Sequence, residues 1–91
     1  MKSTYTRQYQ EFLVRIKAAR KDAGMTQEEL ARRLKRPQSF VSKYESGERR
    51  LDVIEFMSVA EAIGINASDF VESISPWSMK KKARKTAARM T

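Results

Sequence analysis

Three glycines, Gly24, Gly47 and Gly64, each stand where a run of apolar residues at helical spacing stops. Glycine is common just past the end of a helix, because it adopts the left-handed backbone conformation without strain. The intervals between the glycines have the length of single helices. No stretch alternates apolar and polar residues for long enough to predict a strand. The chain is therefore expected to be all-α, with residues 1–75 forming one small domain.

Five amphipathic helices are expected in this domain. Apolar residues recur at three- and four-residue steps, and Thr26, Pro37, Asp52 and Asn66 are suited to begin a helix. The expected helices span about 7–23, 27–34 and 38–46, followed by one after Asp52 that ends at Gly64 and one after Asn66 that carries Phe70, Val71 and Ile74. Pro76 separates the domain from a C-terminal tail, residues 76–91.

The residue composition excludes several kinds of chemistry. The 91 residues include no cysteine and no histidine, which removes disulfides, thiolate zinc sites and catalysis that depends on either side chain. A glycine-rich phosphate loop is also missing, so we expect no enzyme activity, no metal and no cofactor. Apolar runs stay well below the ~20 residues of a membrane span, and the N-terminus lacks a signal-peptide core. A cytoplasmic protein with no membrane contact is expected.

Positive charge is concentrated in two places. The net charge is +8, yet residues 78–91 hold six Lys and Arg and no acidic residue. Residues 32–50 hold seven basic residues and two acidic ones. A charge excess of this kind favours a polyanionic partner, with nucleic acid as the first candidate.

The basic stretch overlaps two short expected helices, 27–34 and 38–46, which are joined by a tight turn. In a helix-turn-helix, the second helix enters the major groove of DNA and the first crosses the backbone. The run from Thr26 to Ile65, TQEELARRLKRPQSFVSKYESGERRLDVIEFMSVAEAIGI, resembles the lambda-repressor-like, Xre-type helix-turn-helix family. The resemblance extends back through RIKAARKDAGM and forward to about Ile74. It implies a compact five-helix DNA-binding domain.

The resemblance also implies a set of DNA contacts. The side chains expected at base edges are Gln38, Ser39 and Lys43. Gln38 matches the N6 and N7 edge of adenine, and Lys43 matches guanine. For Lys43 the alternative is a phosphate contact, and for Ser39 a hydrogen bond at the helix start. Gln27, Arg49 and Arg50 are expected at phosphates, and Gln27 also braces Gln38. Lys35 and Arg36 add two further cations near the DNA backbone.

Two positions in this region have alternative interpretations. Phe40 lies one residue before the inward-facing Val41, so it either contacts a thymine methyl or a sugar, or packs against the turn between the two helices. Lys35 stands in the turn where the family commonly has glycine. If the turn keeps its left-handed residue, lysine there costs about 1 kcal/mol.

One ion pair is expected inside the domain. Arg20 follows Ile16 by four residues on the apolar stripe of the first helix, and Glu45 follows Val41 by four on the third. A charge turned inward needs a partner. The family has a matching arginine–glutamate bridge, which implies that this pair orients the DNA-reading helix without touching DNA.

The expected function is that of a sequence-specific, double-stranded-DNA-binding transcription regulator, a repressor acting as a homodimer. Phe70, Val71, Ile74 and Trp77 exceed what one small core can hide, so the dimer contact is expected at the fifth helix and the segment after it. The alternative is an antitoxin-type or adaptor module that binds a protein through its tail or fifth helix, with autoregulatory DNA binding. The tail is disordered, adding non-specific DNA affinity, or forms a helix docked on a partner. A basic amphipathic membrane helix is the least favoured alternative, because its apolar side is small and mostly alanine.

Overall fold

Five α-helices make up the described part of the chain. The computed structural model describes residues 6–74, in which no strand occurs. The helices are α1 (Arg7–Asp22), α2 (Gln27–Leu34), α3 (Gln38–Ser46), α4 (Val53–Ile63) and α5 (Ala67–Ile74). The expected all-α, five-helix architecture is confirmed. Among these helices none is long and apolar enough to span a membrane. Trp77 and the tail, residues 76–91, lie outside the described residues.

Side-chain caps fix where four of the helices begin. Oxygens of Thr6, Thr26, Asp52 and Asn66 each accept a hydrogen bond from the backbone N–H three residues later, at 2.7–3.0 Å. These bonds satisfy donors that have no partner within the first turn. At α4 the bond is reciprocated, because the Glu55 carboxylate accepts from the Asp52 N–H at 3.0 Å. Helix α3 follows Pro37 and has no side-chain cap.

The turn between α2 and α3 keeps a left-handed residue, although that residue is not glycine. Lys35 has φ 59° and ψ 44°, and it is the single non-glycine residue with positive φ in the range 6–74. Its backbone N–H closes the last turn of α2 on the carbonyl of Arg32. The fold therefore accepts about 1 kcal/mol of backbone strain at this position, which brings α3 directly beside α2.

The core lies where α1, α2, α3 and α4 meet. Its fully buried side chains are Ile16, Leu30, Val41, Tyr44 and Val59. Because these side chains come from four different helices, none of the helices can bury its apolar face alone. Two residues of α3 belong to this set, so the inner face of α3 is anchored while its other side remains exposed.

A second apolar cluster joins α1, α4 and α5. The rings of Phe12, Phe56 and Phe70 lie 5.3–5.7 Å apart, centroid to centroid. Such distances are typical of favourable aromatic pairs. Phe70 is thus half-buried within its own domain, and its part in a dimer contact stays a prediction. Val71, next along α5, remains 47% exposed.

Candidate nucleic-acid interface

Helix α3 presents the side chains expected to read bases on its exposed side. Gln38, Ser39 and Lys43 are exposed, whereas Val41 and Tyr44 are fully buried. Positions 1, 2 and 6 of a helix lie within one sector of its circumference at 3.6 residues per turn. The packing of α3 on the core therefore leaves these three side chains together on its outward surface.

Arg20 and Glu45 form a buried ion pair between α1 and α3. Arg20 Nε lies 2.8 Å from Glu45 Oε2, and Arg20 Nη2 lies 3.1 Å from Oε1. Arg20 Nη1 also donates to the carbonyl of Met25 at 2.7 Å. The two side chains are 7% and 2% exposed. The hydrogen bond to Glu45 raises the pKa of Arg20, so the guanidinium stays charged. The three hydrogen bonds of Arg20 link α1 to α3 and to the loop before α2.

Two glutamines continue this arrangement toward the surface. Gln27, the first residue of α2, donates from Nε2 to Glu45 Oε1 at 2.9 Å. Gln38, the first residue of α3, donates from Nε2 to Gln27 Oε1 at 3.2 Å. Gln27 thus lies between the buried carboxylate and the exposed amide of Gln38. The side-chain position of Gln38 is coupled to the core through these two bonds.

A second group of charges lies between the turn before α3 and the start of α4. Arg49 donates to both oxygens of Glu55, at 2.9 and 2.8 Å, and Arg36 Nη2 lies 3.2 Å from Oε2. The hydrogen bond from Arg49, followed by that from the Asp52 backbone, lowers the pKa of Glu55 to about 2. Arg36 and Arg49, expected at phosphates, therefore have an internal partner. We call Arg36, Arg49 and Glu55 the Glu55 cluster.

Sequence reasoning missed this role of Glu55. The residue had a sufficient local explanation as the third residue of a capping box, and that box is present. The available local signal was Arg49, six residues before the carboxylate of Glu55. Pairing with Arg36, 19 residues away, depends on the tertiary fold.

Phe40 packs beneath the two arginines of the Glu55 cluster. The guanidinium carbons of Arg36 and Arg49 lie 4.1 and 4.9 Å from its ring centroid. Its edge-to-face contact with Tyr44 has a centroid distance of 5.4 Å. Only 7% of Phe40 is exposed, which leaves too little of the ring for a contact to a thymine methyl or a sugar. Of the two alternatives for Phe40, its burial favours packing.

Cations lie at both ends of α3. Lys35 and Arg36 are exposed in the turn before it, and Arg49 and Arg50 follow it in the loop to α4. The guanidinium of Arg50 stacks 4.5 Å above the ring of Tyr9. This arrangement surrounds the three outward side chains of α3 with positive charge, as a surface that approaches a DNA backbone requires.

Comparison with known proteins agrees with this geometry. The helix-turn-helix family model matches residues 16–70, more than half of the chain. The chain belongs to the Xre-type helix-turn-helix family. A solved structure of an XRE-family like protein from Pseudomonas syringae pv. tomato str. DC3000 is 52% identical and superposes with a TM-score of 0.73. The match covers 74% of this chain and 82% of that one. A search of curated proteins finds no significant match.

Membership in the Xre-type family makes the chain a DNA-binding transcription regulator. The family match includes all of α2, the turn at Lys35 and all of α3. It also includes the buried ion pair and both glutamines that connect it to the surface. The helix-turn-helix is therefore the part of this domain from which DNA binding is to be explained.

Proposed function

We propose that this protein binds specific double-stranded DNA sites by placing α3 in the major groove, and that it acts as a repressor. The observation that carries the proposal is the amide of Gln38, which is exposed at the first position of α3 and braced by Gln27 at 3.2 Å. A side chain held in this way loses little freedom on meeting a base edge. A glutamine amide fits the N6 and N7 atoms of adenine.

Phosphate contacts would set the register of α3 on the duplex. Gln27, Lys35 and Arg50 are proposed to contact the backbone, together with the outward edges of Arg36 and Arg49. Their positions at both ends of α3 support contacts to the two strands that flank the groove. Because phosphate contacts carry no direct sequence information, the proposed readers of sequence are Gln38, Ser39 and Lys43.

We further propose that the protein binds as a homodimer. A single recognition helix covers only a few base pairs, and helix-turn-helix dimers read two half-sites about 34 Å apart. An exposed apolar surface supports this proposal. Val53, Ile54 and Met57 of α4 are 69%, 68% and 52% exposed, and Val71 and Ile74 of α5 line a groove together with Val53. The proposed contact thus includes α4 as well as α5.

The same apolar surface fits the second candidate function, an antitoxin-type or adaptor module that binds another protein. The two candidates differ in what covers this surface. Light scattering decides between them, since a homodimer has twice the mass of one chain both free and on DNA. A mass equal to one chain, both free and on DNA, would contradict the dimer and favour a different protein partner.

Replacement of Gln38 tests the base-reading proposal. We expect Gln38→Ala to weaken binding to the preferred duplex by about 1–3 kcal/mol and to relax preference at one base pair per half-site. Lys43→Ala is the companion variant. If Lys43 contacts a phosphate, its loss weakens all duplexes equally and lowers the salt slope by about one unit. An equal loss of affinity for specific and random duplexes in Gln38→Ala would show that Gln38 does not read a base.

A further inference from the structure

Four side chains form one hydrogen-bonded series from the core to the surface of α3. The series runs from Arg20 through Glu45 and Gln27 to Gln38, with donor–acceptor distances of 2.8 Å, 2.9 Å and 3.2 Å. We call it the Glu45 relay. Its members differ in what they can donate and accept, and that difference gives the series a direction.

The direction starts at Glu45, because an ionised carboxylate can only accept hydrogen bonds. The amide of Gln27 must therefore turn its Nε2 toward Glu45, and its Oε1 then faces Gln38. That oxygen also can only accept, so Gln38 must turn its own Nε2 inward. The two amide orientations follow from the chemistry of their partners, since a distance alone does not distinguish the nitrogen of an amide from its oxygen.

The outward pattern of Gln38 follows from this direction. Its Oε1 is an acceptor left facing outward, and its Nε2 retains a second N–H that is not used by Gln27. Adenine presents a donor at N6 and an acceptor at N7 in the major groove, which complements this pattern. Guanine presents acceptors at both O6 and N7, so its O6 would face the oxygen of Gln38.

We propose that Glu45 is a positioning residue that sets base preference, by fixing through Gln27 which end of the Gln38 amide faces the DNA. This inference rests on the proposed base reading by Gln38. Glu45 never touches DNA in this arrangement. It is suited to the task because two bonds from Arg20, at 2.8 and 3.1 Å, hold its carboxylate in place, and its side chain is 2% exposed.

The test changes the relay at Gln27 and leaves the buried ion pair intact. One variant interrupts the series of hydrogen bonds, and the other reverses its direction. Gln27→Met keeps the length of the side chain and removes the amide. Gln27→Lys keeps a donor for Glu45 but offers Gln38 a donor in place of an acceptor. The amide of Gln38 should then turn its oxygen inward and present both N–H groups to the groove, a pattern that suits guanine.

The readout is the ratio of the affinities for two duplexes that carry adenine or guanine at one base pair, the one where Gln38→Ala relaxes the preference. Both affinities are measured at the same salt concentration. We expect wild type to favour adenine by about 5- to 150-fold, the range of one bidentate contact. Gln27→Met should lower the ratio several-fold, and Gln27→Lys should lower it further or invert it. Gln8→Lys, which adds the same charge at an exposed position of α1, should leave the ratio unchanged.

A double variant tests Glu45 itself. Replacing the pair together, as Arg20→Met with Glu45→Leu, removes the acceptor and leaves no unpaired buried charge, a change that is often tolerated. The adenine-to-guanine ratio should fall several-fold, in the same direction as in Gln27→Met. Circular dichroism and a cooperative melt establish that each variant is folded.

The outcomes separate the relay from the function on which it rests. If wild type shows a clear adenine preference that Gln38→Ala removes, but Gln27→Met, Gln27→Lys and the double variant all retain it, the relay proposal is wrong and base reading by Gln38 stands. If Gln38→Ala changes no base preference, the proposed base reading fails, and the relay proposal fails with it. If the adenine-to-guanine ratio falls in the Gln27 variants at this base pair and at no other, both the relay and base reading by Gln38 are supported.

Discussion

The domain contains two arginine–glutamate groups that share their chemistry and differ in their surroundings. Arg20 and Glu45 are 7% and 2% exposed, whereas Arg36, Arg49 and Glu55 are 41%, 39% and 15% exposed. The first group lies between α1 and α3, beneath the exposed side of α3 that is proposed to read DNA. The Glu55 cluster lies at that surface, beside the expected path of the DNA backbone.

This difference in exposure gives the two groups different uses. A buried pair cannot exchange its partners without leaving a charge desolvated, so Arg20 and Glu45 act as a fixed reference for α3. In the Glu55 cluster, solvent screens the charges and reduces the benefit of each bond. Carboxylate and phosphate both accept the paired N–H groups of a guanidinium. The arginines of the Glu55 cluster can therefore exchange Glu55 for a phosphate at low cost.

Removal of Arg20 should produce the largest effect on stability. Arg20→Ala leaves Glu45 charged and without its main partner, for which we expect a loss of about 3–5 kcal/mol in unfolding free energy. Arg7→Ala, at an exposed position at the start of α1, is the matched control and should change little. Urea denaturation of both variants measures the difference. Equal midpoints would contradict the assignment of Arg20 as a buried, stabilising residue.

Removal of the charge of Glu55 should act on DNA binding. In Glu55→Gln, Arg36 and Arg49 lose their carboxylate and become available to phosphates. We expect tighter binding to a random duplex and a steeper dependence of log K on log salt, by about 0.9 for each phosphate gained. Glu61→Gln removes the same charge from an exposed position of the same helix. Identical slopes for the two variants would mean that only net charge matters and that the Glu55 cluster has no specific role.

The Glu55 cluster should also give stability a defined dependence on pH. The pKa of Glu55 is about 2 in the folded protein, below its ordinary value of 4.5. Because the pKa is lowered, the ionised carboxylate stabilises the fold at pH values above the ordinary pKa. This stabilisation is lost as the pH falls from about 4.5 toward 2. The difference in melting temperature between wild type and Glu55→Gln should therefore be largest above pH 5 and shrink below it. A constant difference from pH 6 to pH 2 would contradict this.

Local signals were sufficient to predict the helices but not the Glu55 cluster. Caps such as Thr26 and stops such as Gly47 act within one or two turns, so the sequence predicts α2 and α3 with the bounds that the structure has. The Arg20–Glu45 pair was also accessible, because an arginine and a glutamate on two apolar stripes need each other. The partners of Glu55 and the half-burial of Phe70 depend on how helices pack, which no local pattern specifies.

Tyr44 offers the smallest expected effect and a useful contrast with Arg20. Its side chain is fully buried beside the ion pair, and its hydroxyl has no hydrogen-bond partner among residues 6–74. Burial, followed by the charge of Glu45, raises the pKa of this hydroxyl, so the group stays neutral. An unpaired buried hydroxyl is unfavourable. Tyr44→Phe should therefore leave the unfolding free energy unchanged or raise it by up to about 1 kcal/mol.

Tyr9→Phe is the matched control for this prediction. The Tyr9 hydroxyl accepts from the Leu51 N–H at 3.0 Å, so its removal should lower the unfolding free energy by about 0.5–1.5 kcal/mol. If a hydrogen-bond partner decides what a hydroxyl contributes, urea denaturation should show a lower unfolding free energy for Tyr9→Phe and no loss for Tyr44→Phe. A loss in Tyr44→Phe as large as that in Tyr9→Phe would show that the Tyr44 hydroxyl has a partner in the folded protein.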